Sequence, residues 1–92
     1  MLQIFSRWFG NRRATRHRIQ SCALSLIQDN ERKAYYAAQR LAARSRGEGN
    51  LAEFWHWARV ASEVARVSPI AEMDIEVVKT IADEEKAVAP QA

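Results

Sequence analysis

Residues 34–67 read AYYAAQRLAARSRGEGNLAEFWHWARVASEVARV, and the pair of helices they encode frames the whole chain. Ala, Leu, Gln and Arg, all strong helix formers, fill the first half. Ala34, Ala38, Leu41 and Ala42 recur at spacings of three and four and give one narrow apolar face of small side chains. Tyr35 and Tyr36 flank that face, while Lys33, Arg40 and Arg44 gather on another side. Gly47-Glu48-Gly49-Asn50 then interrupts the pattern. Gly47 suits the left-handed conformation that ends a helix. Asn50 suits the N-cap of the next one, and Glu53 completes a capping-box pattern, with Asn in place of Ser or Thr. Two helices joined by so short a turn make an antiparallel αα-hairpin.

The second helix of the hairpin, residues 51–67, has a single polar stripe of His56, Arg59, Glu63 and Arg66. The rest of its surface is apolar or small. Such a helix must be covered on several sides, so it is the expected centre of the core. Downstream, Ser68-Pro69 reads as a helix start, Ser at the N-cap and Pro at the first helical position. Ile70, Met73, Val77 and Ile81 would form its buried stripe, and Glu72 and Asp74 would complement its dipole. Residues 89–92 read as a frayed tail.

Upstream, Asp29-Asn30 is a candidate boundary, because both residue types favour caps. Whether residues 14–46 make one helix or two is left open by these residues alone. Ile19, Cys22, Ala23, Leu26 and Ile27 mark one buried stripe over residues 14–28. Residues 1–9 place Met1, Leu2, Ile4, Phe5, Trp8 and Phe9 in one arc of about 160° on a helical wheel, with Gln3, Ser6 and Arg7 opposite. Gly10-Asn11 punctuates that helix, and Arg12-Arg13 follows as a basic hinge. The expected architecture is all-α: a four-helix domain over residues 14–88, built on the 31–46/51–67 hairpin. An amphipathic N-terminal helix and hinge precede it over residues 1–13.

The segment Tyr36-Ala37-Ala38-Gln39-Arg40, the turn Gly47-Glu48-Gly49-Asn50, Phe54-Trp55 and Ala61-Ser62-Glu63-Val64 together resemble a group of small uncharacterised helical-hairpin proteins of alphaproteobacteria. The likeness spans residues 34–67. It implies a bacterial origin and carries no activity with it.

Composition agrees with the helical reading: of 92 residues, sixteen are Ala, three Gly and two Pro. That usage and a 48% hydrophobic content exclude collagen-like, disulfide-scaffold and wholly disordered classes. The single cysteine, Cys22, leaves no internal disulfide or cysteine-rich metal site. The longest uncharged run is residues 19–28, short of the roughly 20 apolar residues of a membrane span. With no secretory signal pattern, the expected location is the cytoplasm, at the inner face of a membrane if the N-terminus binds lipid.

No catalytic constellation stands out. His17 and His56 fall outside metal-ligand spacings. Cys22 lacks a base placed near it, and the Gly47-Glu48-Gly49 turn lacks the Lys of a phosphate-binding loop. The expectation is a non-enzymatic protein with no metal, no cofactor and no small-molecule substrate. Charge points instead to a contact surface. The net charge of +3 divides unevenly. Residues 1–28 carry Arg7, Arg12, Arg13, Arg16 and Arg18 and no acid, whereas residues 67–92 carry Lys79 and Lys86 against six acids. The candidate binding residues are Leu2, Ile4, Phe5, Trp8, Phe9, Arg12, Arg13 and Arg16. The favoured function is a small interaction or regulatory protein that docks on a protein partner through helix faces. An anionic membrane surface is the first alternative, because aromatic groups beside arginines suit a headgroup boundary. Nucleic acid is the second, opposed by the acidic C-terminal third.

Overall fold

A computed structural model describes the backbone of residues 2–88 and, from residue 12 onward, the side chains. Its helices are α1 (Leu2–Asn30), α2 (Ala34–Gly47), α3 (Leu51–Val67) and α4 (Ile75–Val88), with a 3₁₀ turn over Glu31–Lys33 between the first two. There is no strand among the described residues. The all-α class and the hairpin stand as the sequence predicts.

Alanine sets the distances in this fold. Ala34, Ala38 and Ala42 of α2 are buried, and with no atoms beyond Cβ they let neighbouring helices approach closely. Val60, Ala61 and Val64 of α3 and Ala23 of α1 fill the space against them. Ile19, Cys22, Leu26, Ile27, Tyr35 and Trp57 cover the edges of this cluster. The largest fully buried side chains are only Val60 and Val64. α2, rather than α3, is the central helix: it packs against α1, α3 and α4, whereas α4 packs against α2 alone among the described elements.

The hairpin turn is built from local signals. Asn50 N–H donates to the Ser45 carbonyl at 2.9 Å, and Gly49 N–H to that of Arg46 at 3.1 Å. These two bonds form the Schellman closure of α2. Gly49, at φ 76°, takes the left-handed conformation expected of Gly47, because the helix runs through Gly47 before it ends. Asn50 Oδ1 accepts from Glu53 N–H at 3.1 Å and caps α3. The reciprocal half of the capping box is absent, since Asn50 N–H is already committed to Ser45 and the Glu53 carboxylate is held by Arg18.

Two boundaries differ from the expectation, and a third, left open by the sequence, is decided. The break at Gly10-Asn11 does not occur, and Arg12-Arg13 is no hinge: α1 is one helix through these positions. Gly costs a helix interior only about 1 kcal/mol, and no proline enforces a stop. At Asn30 the helix does end, with φ −160° and ψ 95°, and Asn30 Oδ1 accepts from Lys33 N–H. Residues 14–46 therefore form two helices.

The second correction concerns Ser68-Pro69, which ends α3 instead of starting α4. Ser68 N–H donates to the Val64 carbonyl at 2.9 Å, closing the helix. Its hydroxyl donates to Glu31 at 2.6 Å and accepts from the amides of Ile70 and Ala71. Residues 68–74 then run as a strap over the α1–α2 corner. Glu72 N–H donates to the Arg32 carbonyl, the Glu72 carboxylate meets Lys33 at 2.7 Å, and Asp74 N–H donates to the Tyr36 hydroxyl at 2.8 Å. Helix geometry resumes at Ile75, where Asp74 Oδ1 accepts from Glu76 N–H. Ile70 and Met73 consequently lie exposed in the strap, and of the expected stripe only Ile81 is buried.

Candidate functional site

The distribution of ion pairs decides where charge is left over. Three of the six acids in the C-terminal third are answered by α2 and the turn before it. Lys33 pairs with Glu72, Arg40 with Glu84 and Glu85, and Arg44 with Glu85. Glu85 is buried, and the Arg44 hydrogen bond, assisted by Arg40, holds its carboxyl below the usual carboxylate range. No contact joins α1 to α4 among the described residues. Among the described residues, the basic arm and the acidic tail therefore do not neutralise each other.

The arginines of α1 instead face α3. Arg12, Thr15, Arg16, Ile19 and Gln20 form one wall of an open groove of about 800 Å³, and Arg59, Ser62, Glu63 and Arg66 form the other. The spacing explains the placement. Positions 12, 15, 16, 19 and 20 repeat at three and four, so they share a face of α1. Arg59, Ser62, Glu63 and Arg66 do the same on α3. Ile19 packs against the core from inside this face and fixes how the two helices meet.

Four guanidinium groups and one carboxylate line the groove. Glu63 accepts from Arg66 Nε at 3.1 Å and from a second guanidinium nitrogen of the same side chain. This fork lowers the Glu63 pKa from its ordinary value. Arg16 and Arg59 make no hydrogen bond or ion pair among the described residues. Beside the groove, Arg18 bridges to both Glu53 carboxylate oxygens, at 3.1 and 3.2 Å, and ties α1 to α3. His56 is buried near this bridge, its Nε2 without a partner, and its ring meets Trp57 edge-on at a centroid distance of 4.8 Å. Burial, then the Arg18 charge, push its pKa below the ordinary 6.5, with Glu53 acting the other way.

Of the candidate residues named from the sequence, Arg12 and Arg16 line the groove. Arg13 is exposed and is not among its lining residues. The side chains of Leu2, Ile4, Phe5, Trp8 and Phe9 lie outside the described residues. Arg59 and Arg66 are additions. Their seven-residue spacing on the polar stripe of α3 was the available signal, but only tertiary packing shows that the stripe faces Arg12 and Arg16. Among the described residues no group of three or more His, Cys, Asp or Glu side chains could hold a metal ion. No described helix is long and apolar enough to cross a membrane. Compared with protein-family models, curated proteins and solved structures, the chain matches none.

Proposed function

We propose that this chain is a non-enzymatic interaction protein that docks on a protein partner through helix faces, with the arginine-lined groove between α1 and α3 as the contact. The observation that carries this reading is the pair Arg16 and Arg59. They stand on opposite walls of one groove without partners among the described residues, while Glu84 and Glu85 of α4 are engaged by α2. A cationic surface left open in this way favours an anionic counterpart and speeds encounter with it.

The form of the surface favours protein over the two alternatives. The arginines line a concavity, which accommodates a convex element such as a helix better than a flat bilayer. Glu63 in one wall opposes a polyphosphate. The membrane reading retains one supporting feature in the sequence. The apolar residues Leu2, Ile4, Phe5, Trp8 and Phe9 come directly before the arginines of residues 12–18.

The test is photo-crosslinking from a single position in cells of the source organism, with adducts identified by mass spectrometry. A photoreactive residue at Thr15, inside the groove, is compared with one at Thr80 on α4. The expected result is a defined protein adduct from Thr15 alone, lost in the Arg16→Gln/Arg59→Gln double variant. Adducts only to lipid or nucleic acid, or the same proteins from both positions, would overturn the proposal.

A further inference from the structure

We infer that the occupant of the α1–α3 groove is an acidic amphipathic helix of the partner, laid along the groove with its carboxylates facing arginines on both walls. This rests on the docking reading above and names what the partner presents.

The spacing of the charges is the first argument. Arg12 and Arg16 stand one turn apart on α1, about 6 Å along the axis, and Arg59 and Arg66 stand two turns apart on α3, about 10 Å. A single phosphate recognised by arginine needs donors converging within hydrogen-bond distance of one point. Charges strung along two helix walls do not converge. A helix carrying carboxylates at i, i+4 and i+7 repeats the same intervals and brings acids to Arg16 and Arg59, the two groove arginines without an ion pair among the described residues.

The second argument is the lining between the charges. Ile19 supplies apolar surface, and Thr15, Gln20 and Ser62 are short or flexible polar side chains. A helix with apolar residues beside its acids matches that mixture. The nearest alternative occupant, α4 of a second copy, fits the groove poorly. Its Glu84 and Glu85 are engaged by Arg40 and Arg44, and Glu76 lies 3.6 Å from Lys79 of its own helix. Asp83 is the one acid of α4 without an ion pair among the described residues, and a single carboxylate does not match a row of arginines. A different chain with acids repeated along one helix face fits the groove better.

The experiment uses the full chain and a fluorescein-labelled synthetic peptide of about four helical turns, with Glu at i, i+4 and i+7 and Leu beside them. Binding is read by anisotropy. Parallel arms use a peptide of the same composition in scrambled order, inorganic phosphate as competitor, and co-sedimentation with phosphatidylglycerol-containing vesicles. The expected result is saturable binding of the patterned peptide, weakened roughly tenfold in Arg16→Gln/Arg59→Gln and unchanged in Arg13→Gln. Thr15→Trp keeps every charge and fills the groove, and it is expected to weaken binding as well. It guards against a double variant that misfolds, which circular dichroism detects. Equal binding of the scrambled peptide, displacement by phosphate, binding to vesicles alone, self-association in place of peptide binding, or no binding at all would each overturn the inference. If the peptide fails while Thr15 still crosslinks to a protein, the helical occupant is wrong and the docking reading survives. If Thr15 crosslinks to no protein, the docking reading itself fails.

Discussion

His56 is the side chain whose environment most constrains its chemistry. It is 7% exposed, packed edge-on against Trp57 and placed near the Arg18–Glu53 bridge. Burial and the Arg18 charge favour the neutral imidazole in the folded chain. In the unfolded chain the same group takes up a proton near its ordinary 6.5. The unfolded state therefore binds more protons as pH falls below that value, and stability declines. Urea unfolding is expected to show a falling free energy from pH 7 to about pH 5. The His56→Phe variant, which keeps a ring against Trp57, is expected to show a flatter profile. Identical slopes in both proteins would assign the loss to other groups. Glu63, Glu72 and Glu85 act in a separate window. Their pKa values are lowered by ion pairs, so the stability they contribute is present above the ordinary 4.5 and fades only as pH falls through the lower folded values. The core makes a different demand. Ala38 is 0% exposed where α2 meets its neighbours, and Ala38→Leu is expected to cost about 1–3 kcal/mol by overpacking, measured by the same unfolding titration.

At the scale of elements, the hairpin and α4 behave as opposites. The α2–α3 turn is written in adjacent residues, which is why it was legible in the sequence. Asn50 and Glu53 lie three positions apart, and Gly49 supplies the one positive φ. Asn50→Ala is expected to cost about 1 kcal/mol through the lost cap. Gly49→Ala is expected to cost roughly 1–2 kcal/mol from backbone strain alone, because no atom lies within 4 Å of the added Cβ. The start of α4 was not legible. Ser68-Pro69 carries a genuine start signal, but the Ser68 hydroxyl bonds Glu31, thirty-seven positions away, and tertiary contacts pin the strap to Arg32, Lys33 and Tyr36. Gly10-Asn11 misleads for a simpler reason. Its residue types weaken a helix without forbidding one. Because α4 rests on α2 alone among the described elements, its amides are expected to exchange with deuterium sooner than those of α2 and α3. Glu85→Gln, which leaves Arg40 and Arg44 without their buried partner, is expected to accelerate α4 further while leaving α3 unchanged. Uniform acceleration across all helices would contradict this hierarchy.

Across the whole molecule, charge is sorted by which helices touch. The sequence shows a basic first third and an acidic last third, and a direct pairing of the two would have been the simplest outcome. Packing chooses otherwise. α4 lies on α2, whose Arg40 and Arg44 take up Glu84 and Glu85, and α1 lies on α3, whose Arg59 adds to its own positive charge while Arg66 is held by Glu63. Half of the candidate site was therefore legible: Arg12 and Arg16 stand out in a stretch without acids. The other half belongs to a stripe that reads as an ordinary solvated face until the helices are packed. The most direct measurement is amide chemical-shift mapping of the full chain with the patterned acidic peptide. The expected result is a set of perturbations confined to residues 12–20 of α1 and 59–66 of α3, reduced in the Arg16→Gln/Arg59→Gln variant. Perturbations centred on α4 or the strap, or none at saturating peptide, would contradict the groove as the contact surface.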